Sequence, residues 1–365
     1  MLSPTRTRAS VLGAISSLSN SDPSQWPLVE KTSIYFETLD LPRWYSQPTR
    51  PRITRLLASF LLLSTFLLFY TTSSSSRQPS VLVSQPEFPT LDIYAPNNTN
   101  HLPHIPPKIW QIYLDYSPEA IRGYTSYIQS FISHSPSHTY TLLDANGALS
   151  IISKLATSKT HAHILPLFYA MSRRVLRADF LRYLLLAIEG GVYSDMDTEM
   201  LHPLHEWVPD EYKSRTKLIV GLEADQSPPV PGTTYEVQFC QWTLAGAAGH
   251  PVFWAMVERI LEEVKKRPFE SPMKSVDYSD DEVLDITGPA GWTEVVFEFL
   301  SKAAGEEISW RNLTGIGRPK LYGDILVLPI DAFASGVPHS GASPFGGEGA
   351  LVQHQFQGLW RGGDH

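Results

Sequence analysis

Asp195-Met196-Asp197 sets two carboxylates at i and i+2, and no other Asp-x-Asp occurs in the chain. On extended backbone both carboxylates project to one side and Met196 turns away, into the core. Mg²⁺ or Mn²⁺ takes hard oxygen donors of this kind, commonly together with the phosphates of a substrate. A cation held there bridges a diphosphate and neutralises its charge as it leaves. Asp179 and Arg182, three residues apart, share a helical face. They offer an acceptor for ribose hydroxyls and a cation for phosphate.

The segment that must position these groups is Arg177–Met200, RADFLRYLLLAIEGGVYSDMDTEM. Leu181, Leu184, Leu185 and Ile188 recur at i, i+3, i+4 and i+7, which predicts a helix with one apolar stripe. Gly190-Gly191 ends that helix. Val192-Tyr193 then forms a short strand, and the aspartates sit at its carboxyl end, where α/β sheets bind ligands. Upstream, Ile105–Tyr113 predicts a first buried strand, Pro118–Ser133 a helix, and Tyr140–Leu143 a second strand ended by Asp144-Ala-Asn-Gly147. This alternation predicts an α/β fold with a mixed, mostly parallel sheet.

Other groups divide between two readings. Glu223 and Asp225 follow the apolar strand Leu218-Ile-Val220, and either face an acceptor or solvate a loop. Trp242, Trp292 and Trp360 are core residues by default and sugar-stacking platforms in the alternative. His354, in the strand-like run Leu351–Phe356, reads on its own as structural. His161, His163, His202 and His205 read as surface groups, and Asp277, Asp280, Asp281 and Glu282 as a solvated loop. Thr287-Gly288-Pro289 reads as a turn.

The chain has 365 residues with 29 Lys+Arg and 37 Asp+Glu, a formal charge of −8, which argues against nucleic acid as a partner. At 42% hydrophobic and 11% aromatic it can bury a sizeable core. Cys240 is the single cysteine and excludes a disulfide scaffold. The charge is uneven: residues 1–52 carry six basic and four acidic side chains, so a slightly basic tail precedes an acidic body.

Between those parts the chain reads LLASFLLLSTFLLFY from Leu56 to Tyr70, with no charge between Arg55 and Arg77. A bilayer core needs roughly 17–25 apolar residues in a helix, and 53–72 meets that length. Arg50, Arg52 and Arg55 at its start place the N-terminus in the cytosol. The expected organisation is a cytosolic tail at 1–52, a single-pass type II anchor at 53–72, a Ser- and Pro-rich lumenal stem at 73–103 and a catalytic domain at 104–365. Two glycosylation sequons, Asn97-Asn98-Thr99 and Asn312-Leu313-Thr314, fall on the expected lumenal side.

Arg177–Thr198 resembles the DXD region of the initiation-specific α-1,6-mannosyltransferases, fungal Golgi enzymes of GT-A fold. Ile105-Pro-Pro-Lys-Ile-Trp-Gln111, Leu204–Pro209, Val220–Asp225, Gln238–Thr243, Gly249-His-Pro251, Thr287-Gly-Pro289 and His354–Trp360 are similar to further blocks of that family, in the same order. The chain departs at Leu359, where the family has Ser, and at Arg361, where it has Lys. The resemblance implies a GT-A-like, Rossmann-type nucleotide-sugar domain in the Golgi membrane, catalytic side lumenal. It implies transfer of mannose from GDP-mannose, with retention, in α-1,6-linkage onto an N-linked glycan; a sphingolipid headgroup is the alternative acceptor. It also implies Mn²⁺ (or Mg²⁺) on Asp195, Asp197 and His354, and nucleotide contacts from Asp179, Arg182, Trp110 and Gln111. Gly288 and Trp360 become acceptor-side candidates beside Glu223 and Asp225. A haloacid dehalogenase-type phosphatase is the competing enzyme class, but its Asp-x-Asp-x-Thr is only partly met, with Glu199 where the Thr belongs. A non-catalytic sugar-binding relative is the third reading.

Overall fold

The computed structural model describes residues 102, 104–114, 118–267 and 277–358, all within the unit of residues 85–365. The tail, the anchor, the stem apart from Leu102, the Asn97 sequon and Trp360 lie outside the described residues. Among the described residues no helix is long and apolar enough to cross a membrane.

The first elements in chain order are β1 (Lys108–Ile112), α1 (Pro118–Arg122), α2 (Thr125–His134), β2 (Thr139–Leu143), α3 (Ala145–Ala156), α4 (Ile164–Ala170) and α5 (Arg174–Glu189). Then come β3 (Gly191–Ser194), β4 (Thr198–Met200), β5 (Leu218–Asp225), β6 (Val237–Phe239), β7 (Thr243–Gly246) and α6 (Pro251–Lys265). The last are α7 (Asp280–Ile286), α8 (Pro289–Ala304), α9 (Trp310–Leu313), β8 (Lys320–Tyr322), β9 (Ile325–Leu328), α10 (Asp331–Ala334) and β10 (Val352–His354).

Eight strands form the main sheet in the order β2-β1-β3-β7-β5-β9-β8, with β6 paired to β5. β1 runs parallel to β2 and β3, and β5 to β9. β7 is antiparallel to both β3 and β5, while β6 and β8 run against β5 and β9. The result is the expected mixed sheet with most strands in one direction. A separate two-stranded sheet pairs β4 with β10.

α5 departs from the single apolar stripe expected of it. Phe180 to Ile188 are all buried, so the helix is enclosed on every side. It packs on α6, which also meets α4 and α8. Gly190 ends α5, its N–H donating to Leu186 O, and it takes φ +61°. Gly191, at φ +108°, starts β3 without a linker. A Cβ there would stand 2.6 Å from Lys108 O, so the helix-to-strand corner requires glycine.

Five local expectations are corrected. The helix at 118–133 is two helices, α1 and α2, broken where Gly123 and Tyr124 N–H groups turn back to Ala120 and Ile121 carbonyls. Asp144 starts α3 as its N-cap, accepting from Gly147 N–H, and is not part of a terminating turn. Glu223 and Asp225 lie within β5, not after it. The acidic run at 277–282 opens α7: Ser279 and Glu282 form a reciprocal capping box, and Asp280 pairs with Arg173. His161 is not a surface group, since it is buried and stacks on Trp254 with ring centroids 5.4 Å apart.

Candidate active site

The two aspartates are held in a tight turn, not on extended backbone. Asp195 N–H donates to Trp242 O, prolonging the β3–β7 ladder by one rung. Thr198 then folds back on Asp195 O through both its N–H (3.3 Å) and its hydroxyl (2.6 Å). Beneath the turn, Ser194 Oγ lies 2.7 Å from Thr198 Oγ1 and 2.8 Å from Thr243 Oγ1, a fully buried hydroxyl chain. The turn brings Asp195 and Asp197 into one site all the same. Met196 is largely buried but lines the cavity instead of entering the core.

β10 delivers the third member. It pairs antiparallel with β4 so that His354 stands opposite Thr198. His354 Nε2 lies 3.2 Å from Asp197 Oδ1. Asp195, Asp197 and His354 each present one ligand atom, all within 4.8 Å of one another. Two carboxylates and an imidazole suit a divalent cation. The buried Nδ1 of His354 has no hydrogen-bond partner among the described residues. The ring is held instead by contacts, with Trp242 at 4.6 Å and Phe356 at 4.1 Å between centroids.

Phe356 takes φ +49°, a left-handed conformation uncommon for a bulky residue. This bend lets the strand after His354 curl over Asp197. Gln355 N–H donates to Asp197 O, and Gln357 N–H to Asp197 Oδ2 at 3.1 Å. Burial alone would raise the Asp197 carboxyl, but the His354 bond and charge, helped by the Gln357 amide, bring it below its ordinary range. Asp195 is raised, because burial and the Asp197 charge outweigh Arg182.

Arg182 links the helix to the turn. Its Nη2 reaches Asp179 Oδ1 at 2.8 Å and Asp195 Oδ1 at 2.9 Å, and its guanidinium lies 4.9 Å from the Tyr193 ring centre. Tyr193 hydroxyl also donates to Asp195 Oδ1. Nε and Nη1 of Arg182 are buried without partners among the described residues. Asp179 Oδ2 accepts from Thr287 Oγ1 at 2.7 Å. Burial pushes the Asp179 carboxyl up to about 6 although Arg182 pulls it down.

These groups line one open cavity of about 710 Å³, within the range of small-molecule sites. Asp179, Arg182, Asp195, Asp197, His354, Glu223 and Gly288 all face it. Trp110, Gln111 and Asp225 do not. Trp110 is buried, its indole N–H donating to Gly190 O at 2.8 Å. Gln111, also buried, donates to Asp195 O at 2.8 Å and accepts from Tyr140 hydroxyl. Both thus brace the site from behind. Asp225 accepts from Thr314 Oγ1 and Gly315 N–H, each at 2.6 Å, and fastens a surface turn.

Sequence reasoning missed Tyr193 as a member of the site, and the bond from Thr287 to Asp179. Tyr193 stands two residues before Asp195 on the strand, which is a same-face signal. Thr287 reads locally as part of a turn, and the resemblance makes that turn a site candidate without giving the Thr287 hydroxyl a role. Trp242 is buried, donates to Phe333 O at 2.9 Å and lines the cavity beside His354. Trp292 is wholly core, stacked on Phe253.

Residues 122–214 match the family described as "Glycosyltransferase sugar-binding region containing DXD motif". The initiation-specific alpha-1,6-mannosyltransferase of Schizosaccharomyces pombe is 38% identical over 260 residues, covering 70% of this chain and 64% of the relative. The chain therefore spans just under two thirds of that relative's length. The Candida albicans protein of the same name is 30% identical over 279 residues, covering 70% of this chain and 72% of its own. A chain that matches in this measure, and that sets its Asp-x-Asp pair and a histidine together in one cavity, belongs to the initiation-specific α-1,6-mannosyltransferase family.

Proposed function

We propose that this protein transfers mannose from GDP-mannose, with retention, in α-1,6-linkage onto N-linked glycan acceptors, from a GT-A-like domain in the Golgi lumen behind a type II anchor. The convergence of Asp195, Asp197 and His354 at the cavity, next to Arg182 and Asp179, carries this reading. Those three side chains would hold a divalent cation, Mn²⁺ (or Mg²⁺), and that cation would supply charge neutralisation for a leaving diphosphate.

The chain's own residues do the rest. Arg182 presents a permanent positive charge with two nitrogens, Nε and Nη1, that have no partner among the described residues, suited to phosphate oxygens. Asp179, held by Arg182 and Thr287, would accept from ribose hydroxyls. Glu223 and Gly288, both on the cavity wall, fall to the acceptor side. Glu223 is steadied there by the Gln238 amide at 2.9 Å. In a front-face displacement the leaving phosphate takes the acceptor's proton, so no protein base is needed. Catalysis then rests on positioning and on the fixed charges around the cleft.

Asp197→Ala should abolish Mn²⁺-dependent transfer in a protein that still unfolds cooperatively. Wild-type transfer by that variant would overturn the cation assignment. A donor screen on the purified protein should show hydrolysis of GDP-mannose and none of UDP-galactose or UDP-N-acetylglucosamine; the reverse order would overturn the donor.

A further inference from the structure

We infer that Asn312 is a modification site, the attachment point of an N-linked glycan on this protein itself. The inference rests on the lumenal reading above. Of the two sequons, Asn312-Leu313-Thr314 is the one within the described residues, and the cavity described above does not use it.

The local fold separates the parts of that triplet. Leu313 is fully buried and anchors the short helix α9, which turns its neighbours Asn312 and Thr314 outward to exposed positions. Asn312 Oδ1 accepts from Ser309 N–H at 2.9 Å and lies 3.2 Å from Ser309 Oγ, closing a capping box. Its Nδ2 has no partner among the described residues. The amide is therefore divided: the oxygen holds the helix start, and the nitrogen is free toward solvent.

An N-glycosidic bond uses only that nitrogen. Nδ2 attacks the anomeric carbon of a lipid-linked oligosaccharyl diphosphate, the donor class of secretory compartments. The N–C bond forms, the bond from that carbon to the diphosphate oxygen breaks, and the lipid diphosphate leaves with the electron pair. One amide proton passes to the base of the host transferase. Oδ1 and one N–H remain, so the capping box survives the modification. Transfer occurs on the chain before this turn closes, and the folded turn accommodates the product.

Space for the first sugars lies alongside. Residues 314–320 line a surface groove of about 410 Å³. Gly315 and Gly317 leave open room where any Cβ would stand. Thr314 hydroxyl, which the glycosylating enzyme must read, donates to the half-buried Asp225 carboxylate. None of residues 314–320 lines the catalytic cavity, so a glycan here leaves the cleft open.

The test is the full chain produced in a eukaryotic secretory host. Its proteolytic peptides are treated with a peptide-N-glycosidase in ¹⁸O-water, which releases the glycan and converts a glycosylated Asn to ¹⁸O-labelled Asp. Label at Asn312 is expected. Asn312→Gln should lose one glycan's mass with sugar transfer unchanged, since Gln serves equally at this capping position. Thr314→Val should lose the same glycan and Thr314→Ser should keep it. Unlabelled Asn312 in the folded wild-type protein overturns the inference. Protease protection of a C-terminal tag in intact microsomes separates the two possible failures. A protected tag with unlabelled Asn312 overturns the site alone, and a digested tag overturns the lumenal reading with it.

Discussion

Thr287 shows how much a single hydroxyl does at this site. It contributes no charge, yet it saturates one oxygen of a carboxylate whose other oxygen is held by Arg182. Leaving a buried acceptor without its donor costs about 1–3 kcal/mol. Thr287→Val, of nearly equal shape, should therefore weaken nucleotide binding by roughly five- to a hundredfold at that cost, and Thr287→Ser should restore most of it. Titration calorimetry with GDP reads the effect. Equal affinity in the Val variant would mean that Asp179 does not depend on this bond. Trp110 and Gln111 make the opposite point. The resemblance suggested nucleotide contacts, but their hydrogen bonds go to the backbone at Gly190 and Asp195, so they brace the site without entering it.

The element that matters most is the corner where α5 becomes β3. It holds Arg182 on the helix and Asp195 past the strand at one spacing, with Gly190 and Gly191 between them. Gly191→Ala should be severely destabilising. A side chain at φ +108° is strained, which costs a few kcal/mol at such a position, and its Cβ would also meet Lys108 backbone at 2.6 Å. Gly305→Ala is the matched control: it also has positive φ, +72°, but nothing lies within 4 Å of its Cβ. It should cost only about 1–2 kcal/mol, the left-handed penalty alone. Urea denaturation of the two variants compares clash plus strain with strain. Equal losses would remove the close approach as the reason for glycine at 191.

At the scale of the molecule, the site joins segments from both ends of the described chain. β1 braces it from behind, and β10 closes it with His354. Gln353 locks β10 to the segment after α10: its amide donates to Ser335 O at 2.7 Å and accepts from Ser335 hydroxyl at 3.0 Å. Gln353→Leu should loosen that strand while sparing the main sheet. The Mn²⁺ concentration for half-maximal transfer should rise several-fold with only a modest fall in melting temperature. An unchanged Mn²⁺ requirement would show that His354 is held by its ring contacts alone.

The sequence by itself determined what depends on short spacing. The i, i+3 pair of Asp179 and Arg182, the glycines that end α5 and the two aspartates after a strand are dictated by helical and strand periodicity. Local chemistry could not set the conformation between those aspartates, because Thr198 and the hydroxyl chain beneath it pull the backbone into a turn. Nor could it link Thr287 to Asp179, 108 residues apart, or give His354 its place opposite Thr198. Those partnerships follow from sheet register and from the burial of α5 on every side. A buried polar group must be paired, but only the packed fold decides which distant residue reaches it.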